Sequence, residues 1–296
     1  MVIKSTPFAD KNGKSPFNAS GVVEVSSRRF VFIDNRDPSA LFEFALDSDD
    51  EVTGHVQRRP LTGVGDGELR DPEGIARLEG DGEVILIASS SLCMVDGVPC
   101  DGLVRTRYTP HGGLHAELMP GFRSWLLHHE PSLAASGGRP PDAGGLNIEG
   151  LAWDPRAGAL IFGIRGPGER GGIAIIRVPV DAGSATWTTA SLGTPVVTRL
   201  RIPRARHMQG VRDISYDDEA GEFLILIGRS TSSGDAPFRL CTWNGSSDRV
   251  SLLDSSFHRS MKPEGVTTFR CGRTKMVLVV DDRGGYAVLD SMKLRQ

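Results

Sequence analysis

The chain has 296 residues, of which 39% are hydrophobic and 24% charged, with a formal net charge of -3 at pH 7. Those proportions describe a globular protein rather than a disordered one. The small charge and the lack of a long basic stripe argue against a nucleic-acid partner.

The opening segment, Met1-Val2-Ile3-Lys4-Ser5-Thr6-Pro7-Phe8, lacks an apolar core of signal-peptide length, and no later apolar run could span a bilayer. The expectation is a cytoplasmic protein with no membrane partner. Cys93, Cys100, Cys241 and Cys271 are scattered and form no Cys-x-x-Cys pair, so free thiols are expected in a reducing compartment. Only Cys93 and Cys100 are close enough to bridge across a loop, should the protein be exported.

Taken in chain order, one short apolar run recurs five times, at 30–34, 84–88, 160–164, 223–227 and 276–280. Each is rich in branched or aromatic residues and bounded by turn residues, which suits a strand buried on both faces. Nine to eleven residues upstream of each lies a related element. Its five versions are Ser20-Gly21-Val22, Glu73-Gly74-Ile75, Glu149-Gly150-Leu151, Arg212-Asp213-Ile214 and Glu264-Gly265-Val266. A third β-like run follows each pair, at 41–46, 103–108, 173–178, 238–243 and 286–289, several of them alternating apolar and polar.

Four-stranded antiparallel units repeated in this way predict an all-β chain folded as a β-propeller. Five blades in a single domain over 1–296 is the first count, with six as the alternative. The last copy leaves no room for a fourth strand before Gln296, so residues 2–8 are expected to supply it and close the ring. The stretch 109–146 is longer than a blade connection requires. Phe122, Trp125, Leu126 and His129 fall on one helical face there, which predicts a helix and loop insertion; a degenerate sixth blade is the other reading.

Three stretches carry a resemblance: Asn18-Ala19-Ser20-Gly21-Val22, Asp71-Pro72-Glu73-Gly74, and Asn147-Ile148-Glu149-Gly150-Leu151 leading to Gly163-Ile164-Arg165-Gly166-Pro167. They resemble an uncharacterised bacterial propeller family, a domain of unknown function similar in turn to the esterase-like phytase propellers. The resemblance implies a propeller and no particular activity. Two positions depart from it: Asp34-Asn35-Arg36 replaces consecutive acidic residues, and Ser89-Ser90-Ser91 replaces Ser-His.

In a propeller the start of each first strand and the end of each second strand meet at one face. Around one channel mouth this gathers Glu73, Glu149, Arg212 and Glu264 with Asp34, Ser89, Arg165, Arg229 and Asp281. One reading is an oxygen-rich cation site: Glu73, Glu149 and Glu264, with Asn147, suit Ca²⁺ or Mg²⁺. Arg165, Arg212 and Arg229, with Ser89, Asp34 and Asp281, would then hold a small anionic substrate, and His207 or His258 would act as base. That amounts to a metal-assisted hydrolase of a phosphoester- or lactone-type substrate. The competing reading pairs the same arginines with the glutamates as struts between blades, leaving a non-catalytic propeller that binds a small anion or a protein. No nucleotide or flavin is expected: Gly166-Pro167-Gly168-Glu169-Arg170-Gly171 matches Gly-x-Gly-x-x-Gly but joins two strands, and phosphate binding needs a helix start after the turn.

Overall fold

A computed structural model describes residues 2–8, 17–65, 67–80 and 82–294. After a two-residue strand β1 (Thr6–Pro7), the chain forms β2 (Ala19–Ser26), β3 (Arg29–Asp34), β4 (Ala40–Ala45) and β5 (Gln57–Thr62), paired antiparallel in sequence order. The pattern repeats with β6 (Pro72–Gly80), β7 (Glu83–Ser90), β8 (Leu103–Arg107) and β9 (Leu114–Met119). The third group is β10 (Asn147–Asp154), β11 (Ala159–Arg170), β12 (Gly172–Pro179) and β13 (Val196–Arg201). Next come β14 (Met208–Asp217), β15 (Glu222–Arg229), β16 (Arg239–Trp243) and β17 (Ser251–Leu252). The last group is β18 (Pro263–Cys271), β19 (Thr274–Asp281) and β20 (Gly285–Asp290).

That last group receives its fourth strand from the other end of the chain. Thr6 of β1 faces Tyr286 of β20, and Pro7 faces Gly285. Beside it, Val2–Ile3 pairs in parallel with Ser256–Phe257. The segment expected to supply this strand therefore does so, and Phe8 beyond it is buried among Phe32, Phe44 and Tyr286.

The first strands of the groups form a closed circuit: β2 packs on β6, β6 on β10, β10 on β14, β14 on β18, and β18 on β2. The fold is a β-propeller, with apolar layers between successive sheets. One such layer sets Ile87 of β7 against Phe162 of β11, with Phe122 and Leu126 inserted beside them. The runs at 30–34 and 223–227 have no exposed residue, because each second strand is covered on both faces.

Each of these inner strands breaks register with its neighbour near its start, in four of them at the equivalent residue and in β2 one residue later. The residue that β7, β11, β15 and β19 skip is Glu73, Glu149, Arg212 and Glu264 in turn, and β3 skips Gly21. An extra residue in one strand of a pair is a β-bulge, which re-aims its side chain. Here it turns each charged side chain toward the channel mouth. The glycines that follow permit close approach of neighbouring inner strands. A Cβ on Gly74 would lie 2.7 Å from the Leu151 Cβ, and one on Gly150 would lie 2.9 Å from the Ile214 nitrogen.

The segment between β8 and β10 carries more regular structure than an insertion starting at 109 implies. Leu114–Met119 is the fourth strand of the second group, and β9 also pairs in parallel with β5. Only then do helices α1 (Phe122–His129) and α2 (Pro131–Gly137) appear. Phe122 and Leu126 of α1 are buried as the helical spacing predicts, while His129 stays exposed and stacks on Trp125 at 4.7 Å. No helix among the described residues is long and apolar enough to cross a membrane.

Candidate functional site at the channel mouth

Four bulged side chains and the ends of the second strands build this site. Arg212, with no exposed surface, lies between two carboxylates from the strands on either side. Its Nη1 is 2.9 Å from Glu149 Oε2, close enough for ionic attraction but off the hydrogen-bond line, and its Nη2 donates to Glu264 Oε1. Each glutamate has a second cation. Arg165 Nη1 donates to Glu149 Oε1 at 2.5 Å. Lys262 Nζ lies 2.9 Å from Glu264 Oε1 and donates to Asp282 Oδ2 at 2.6 Å.

Glu73 is held differently. Neutral donors reach it: the Ser20 hydroxyl at 2.7 Å and the Asn35 amide at 3.2 Å, with Asn18 donating to Asn35 in turn. Burial raises the Glu73 carboxyl well above the usual range, and the charges of Glu149, Asp71 and Glu264 push it further. Glu264 is also raised, to about 6, because its burial outweighs the attraction of Arg212.

Below the mouth the channel is plugged by a residue at the glycine position of the fourth repeat. Asp213, buried, accepts the Val266 N–H at 2.7 Å, and the N–H groups of Ile214, Leu151 and Val22 face the same carboxylate. One side chain thus ties β14 to β2, β10 and β18. Desolvation raises its carboxyl well above the ordinary value despite those donors. On the far side of the plug the inner strands surround a cavity of about 510 Å³ with Glu24, Arg77, Trp153, Tyr216 and Asp218 among its walls.

The mouth also concentrates buried polar atoms that lack a protein hydrogen-bond partner. They are Ser89 Oγ, Asn147 Oδ1, Glu149 Oε2, Arg165 Nε, Gln209 Oε1 and Arg212 Nε. Polar atoms withdrawn from water are ordinarily satisfied by protein, water or ligand, so these are the hydrogen-bonding groups that the mouth's own protein contacts leave uncommitted, apart from Glu149 Oε2, which faces Arg212.

Other expected site residues are placed elsewhere or engaged structurally. Asp34 and Asp281 brace turns: Asp34 Oδ1 accepts the Arg36 N–H at 3.0 Å, and Asp281 Oδ1 accepts the Lys262 N–H at 2.9 Å. The Ser5 hydroxyl also donates to Asp281, at 3.0 Å, tying in the closing segment. Arg229 points at the Ser232 carbonyl, 3.4 Å away, and lies over the Phe238 ring. His207 is exposed and His258 half-buried, with Nδ1 3.1 Å from Asp235 Oδ1 and 2.7 Å from Ser260 Oγ respectively. Neither has a polar contact with Glu73, Glu149 or Glu264 among the described residues. Arg212, expected to hold substrate, is fully enclosed and holds Glu149 and Glu264 instead.

The oxygen donors expected for Ca²⁺ or Mg²⁺ do not fit that role well. Glu149 and Glu264 are committed to cations of the protein itself, and the Asn147 amide turns toward Glu149 Oε1 at 3.4 Å. Hard divalent ions need several open oxygens converging on one point, which these committed side chains do not offer. The sequence reading missed Lys262, Asn35, Gln209 and Asp213. For Asp213 a signal existed, since it breaks the glycine of the aligned repeats; Lys262 immediately precedes Pro263-Glu264-Gly265.

No protein-family model matches the chain, and no curated protein matches it. Solved structures do, at low identity. A GH43 beta-1,3-galactosidase superposes with a TM-score of 0.53 at 8% identity, covering 98% of this chain and 94% of that one. A glycosyl hydrolase from Bacteroides ovatus superposes with a TM-score of 0.50 at 14% identity, covering 100% and 92%. At such identities the likeness is one of fold, and it places the chain among β-propellers.

Proposed function

We propose that the chain is a five-bladed, single-domain propeller that binds a small anionic ester at the channel mouth and hydrolyses it. The observation that carries this reading is the buried carboxyl of Glu73, bound by neutral donors alone among the described contacts, at a mouth that also holds buried polar atoms without a protein hydrogen-bond partner. Such atoms favour a polar ligand over an apolar one. Arg165 and Lys262 are the mouth cations that reach solvent, with side chains 13% and 33% exposed. They would face the developing negative charge of a phosphoester or lactone-type substrate. Glu73 would take a proton from an attacking water and return it to the leaving oxygen. The two structures named above are hydrolases by name, which agrees with the reaction class without fixing the substrate.

A second reading, a non-catalytic propeller binding a small anion or a protein, is favoured by the cavity on the far side of Asp213. A panel of phosphomonoesters, phosphodiesters and lactones separates the two. Turnover lost at least about a hundredfold in Glu73→Gln, the range of general acid–base contributions, supports hydrolysis. Saturable binding without turnover, unchanged in Glu73→Gln, supports the binding module.

A further inference from the structure

The loop that follows β7 folds back as a small hairpin, Met94–Val95 against Val98–Pro99, and its two flanking residues are cysteines. Cys93 and Cys100 are both enclosed, 2% and 1% exposed, with their sulfurs 4.0 Å apart. A third donor comes from the turn that leads into β6. Asp71 Oδ2 lies 3.5 Å from Cys93 Sγ, and the three ligand atoms of Asp71, Cys93 and Cys100 fall within 4.8 Å of one another. Ser91 faces the same point: its hydroxyl is 2.6 Å from Asp71 Oδ2 and 3.1 Å from Cys93 Sγ.

These separations can be compared with those of a metal site. A tetrahedral Zn²⁺ with Zn–S of about 2.3 Å and Zn–O of about 2.0 Å sets its sulfurs about 3.8 Å apart and a sulfur and an oxygen about 3.5 Å apart. The observed 4.0 and 3.5 Å match that edge pattern within the tolerance of about 0.2 Å expected of a real site. A disulfide needs its sulfurs about 2.0 Å apart, roughly half of what is found.

We propose that Asp71, Cys93 and Cys100 bind one Zn²⁺, with a water as fourth donor and the Ser91 hydroxyl hydrogen-bonded to the Asp71 carboxylate. The mixture of donors selects the ion. Two thiolates favour zinc over calcium or magnesium, and the carboxylate disfavours copper(I), which prefers sulfur alone.

The local backbone is arranged to bring these atoms together. Asp71 and Leu92 are both non-glycine residues in the left-handed region, with φ of 50° and 56°, a conformation that L-residues adopt only where the surroundings enforce it. Arg123 of α1 donates to the Leu92 carbonyl at 2.8 Å, and its own N–H reaches Asp101. The Ser91 N–H donates to the Asp71 carbonyl at 2.9 Å, and the Ile148 N–H to the Ser91 carbonyl at 2.7 Å. A zinc ion here would pin the turn leading into Glu73 to the loop that touches β10. Its existence does not depend on the hydrolytic reading.

The test uses the full-length protein, stripped of metal under reducing conditions and titrated with Zn²⁺ or Co²⁺. One equivalent of zinc per chain is expected by elemental analysis. The cobalt form should show thiolate-to-cobalt charge transfer in the near ultraviolet and the ligand-field bands of a tetrahedral centre. Zinc should protect Cys93 and Cys100 from alkylation while leaving Cys271 reactive. Cys100→Ser and Asp71→Asn should weaken binding at least about tenfold, and Cys271→Ser should leave it unchanged. Because the wild-type spectra require no variant to fold, they decide alone: less than one tenth of an equivalent of metal, no charge-transfer band, or a Cys93–Cys100 disulfide in the purified protein overturns the proposal. Metal bound without ester turnover would leave this site standing and remove the hydrolase reading instead.

Discussion

Arg212 and Glu149 meet across neighbouring inner strands, with Nη1 2.9 Å from Oε2 and both side chains withdrawn from solvent. Their separation in sequence is large, and the contact exists because a bulge in each strand turns the extra residue inward. The same guanidinium reaches Glu264, so one cation joins three neighbouring inner strands. Charge at this mouth is therefore first a means of fixing the ring, and only what it leaves uncommitted is open to a ligand.

Arg212→Met tests that role. Removing one partner of a buried pair strands its counter-charges and typically costs about 3–5 kcal/mol. Arg165 and Lys262 remain to hold Glu149 and Glu264, so a loss of about 3 kcal/mol is expected, measured by urea unfolding. The double change Arg212→Met, Glu264→Met should recover most of it, since Glu149 keeps Arg165 and Lys262 keeps Asp282, and a buried ion pair replaced by apolar side chains of similar volume is often nearly neutral. A single variant as stable as the wild type would show that Arg212 is not a strut.

How much of this was legible in the sequence follows from what is local and what is not. The second strands at 84–88 and 223–227 announce themselves by composition, and the recurring Glu-Gly pair is itself enough to mark three of the inner strands. The fourth strand at Leu114–Met119 is an alternating segment on which His115 and Glu117 face outward, so it reads as loop unless the pairing with β8 is known. Which charge meets which is harder still. Arg212 chooses Glu149 and Glu264 rather than Glu73 because circular order places β14 between β10 and β18. Asp34 and Asp281 point to the site by their position at strand ends, yet an aspartate there commonly caps the next turn with its own oxygen. Cys93 and Cys100 are visible as a pair, but the approach of Asp71 is not, since it depends on two left-handed residues.

The buried carboxyl of Glu264 gives a signed pH prediction. Its folded value of about 6 lies above the ordinary 4.5, so the native state holds this proton more tightly than the unfolded chain. Its contribution to stability is therefore complete below pH 4.5 and is lost as pH rises through about 6. The gap corresponds to about 2 kcal/mol. Glu264→Gln should flatten this component of the stability profile between pH 4.5 and 6, measured by denaturant unfolding at a series of pH values. An unchanged slope in that window would assign the proton uptake to other groups.

Gly150→Ala probes the close approach of β10 to β14. The new methyl would stand 2.9 Å from both the Ile214 nitrogen and its Cγ2, so one strand must shift in a ring that closes on itself. Overpacking of this kind costs about 1–3 kcal/mol, and thermal unfolding should register it. Gly272→Ala meets no neighbour within 4 Å but has a φ of +58°, so it should cost only about 1 kcal/mol, from backbone strain alone. If the two variants melt together, contact between inner strands is not what the glycine at position 150 serves.

Closure of the ring can be tested at Phe8. Its ring stacks on Phe32 at 5.3 Å and on Tyr286 at 5.2 Å, and it meets Phe44 edge-on at 5.0 Å, so it sits between the first and last sheets. Two backbone-paired residues, Thr6 and Pro7, make too short a strand to hold the closing segment by themselves; the buried aromatic beside them supplies the hold. Truncating a fully enclosed phenylalanine costs about 3–5 kcal/mol. Phe8→Ala should lose that much and, because the segment docks as a unit, should raise hydrogen exchange along β20 more than along β15. If it loses less than about 1 kcal/mol, or if exchange rises uniformly across every group of strands, then the chain ends are not fastened where β1 meets β20.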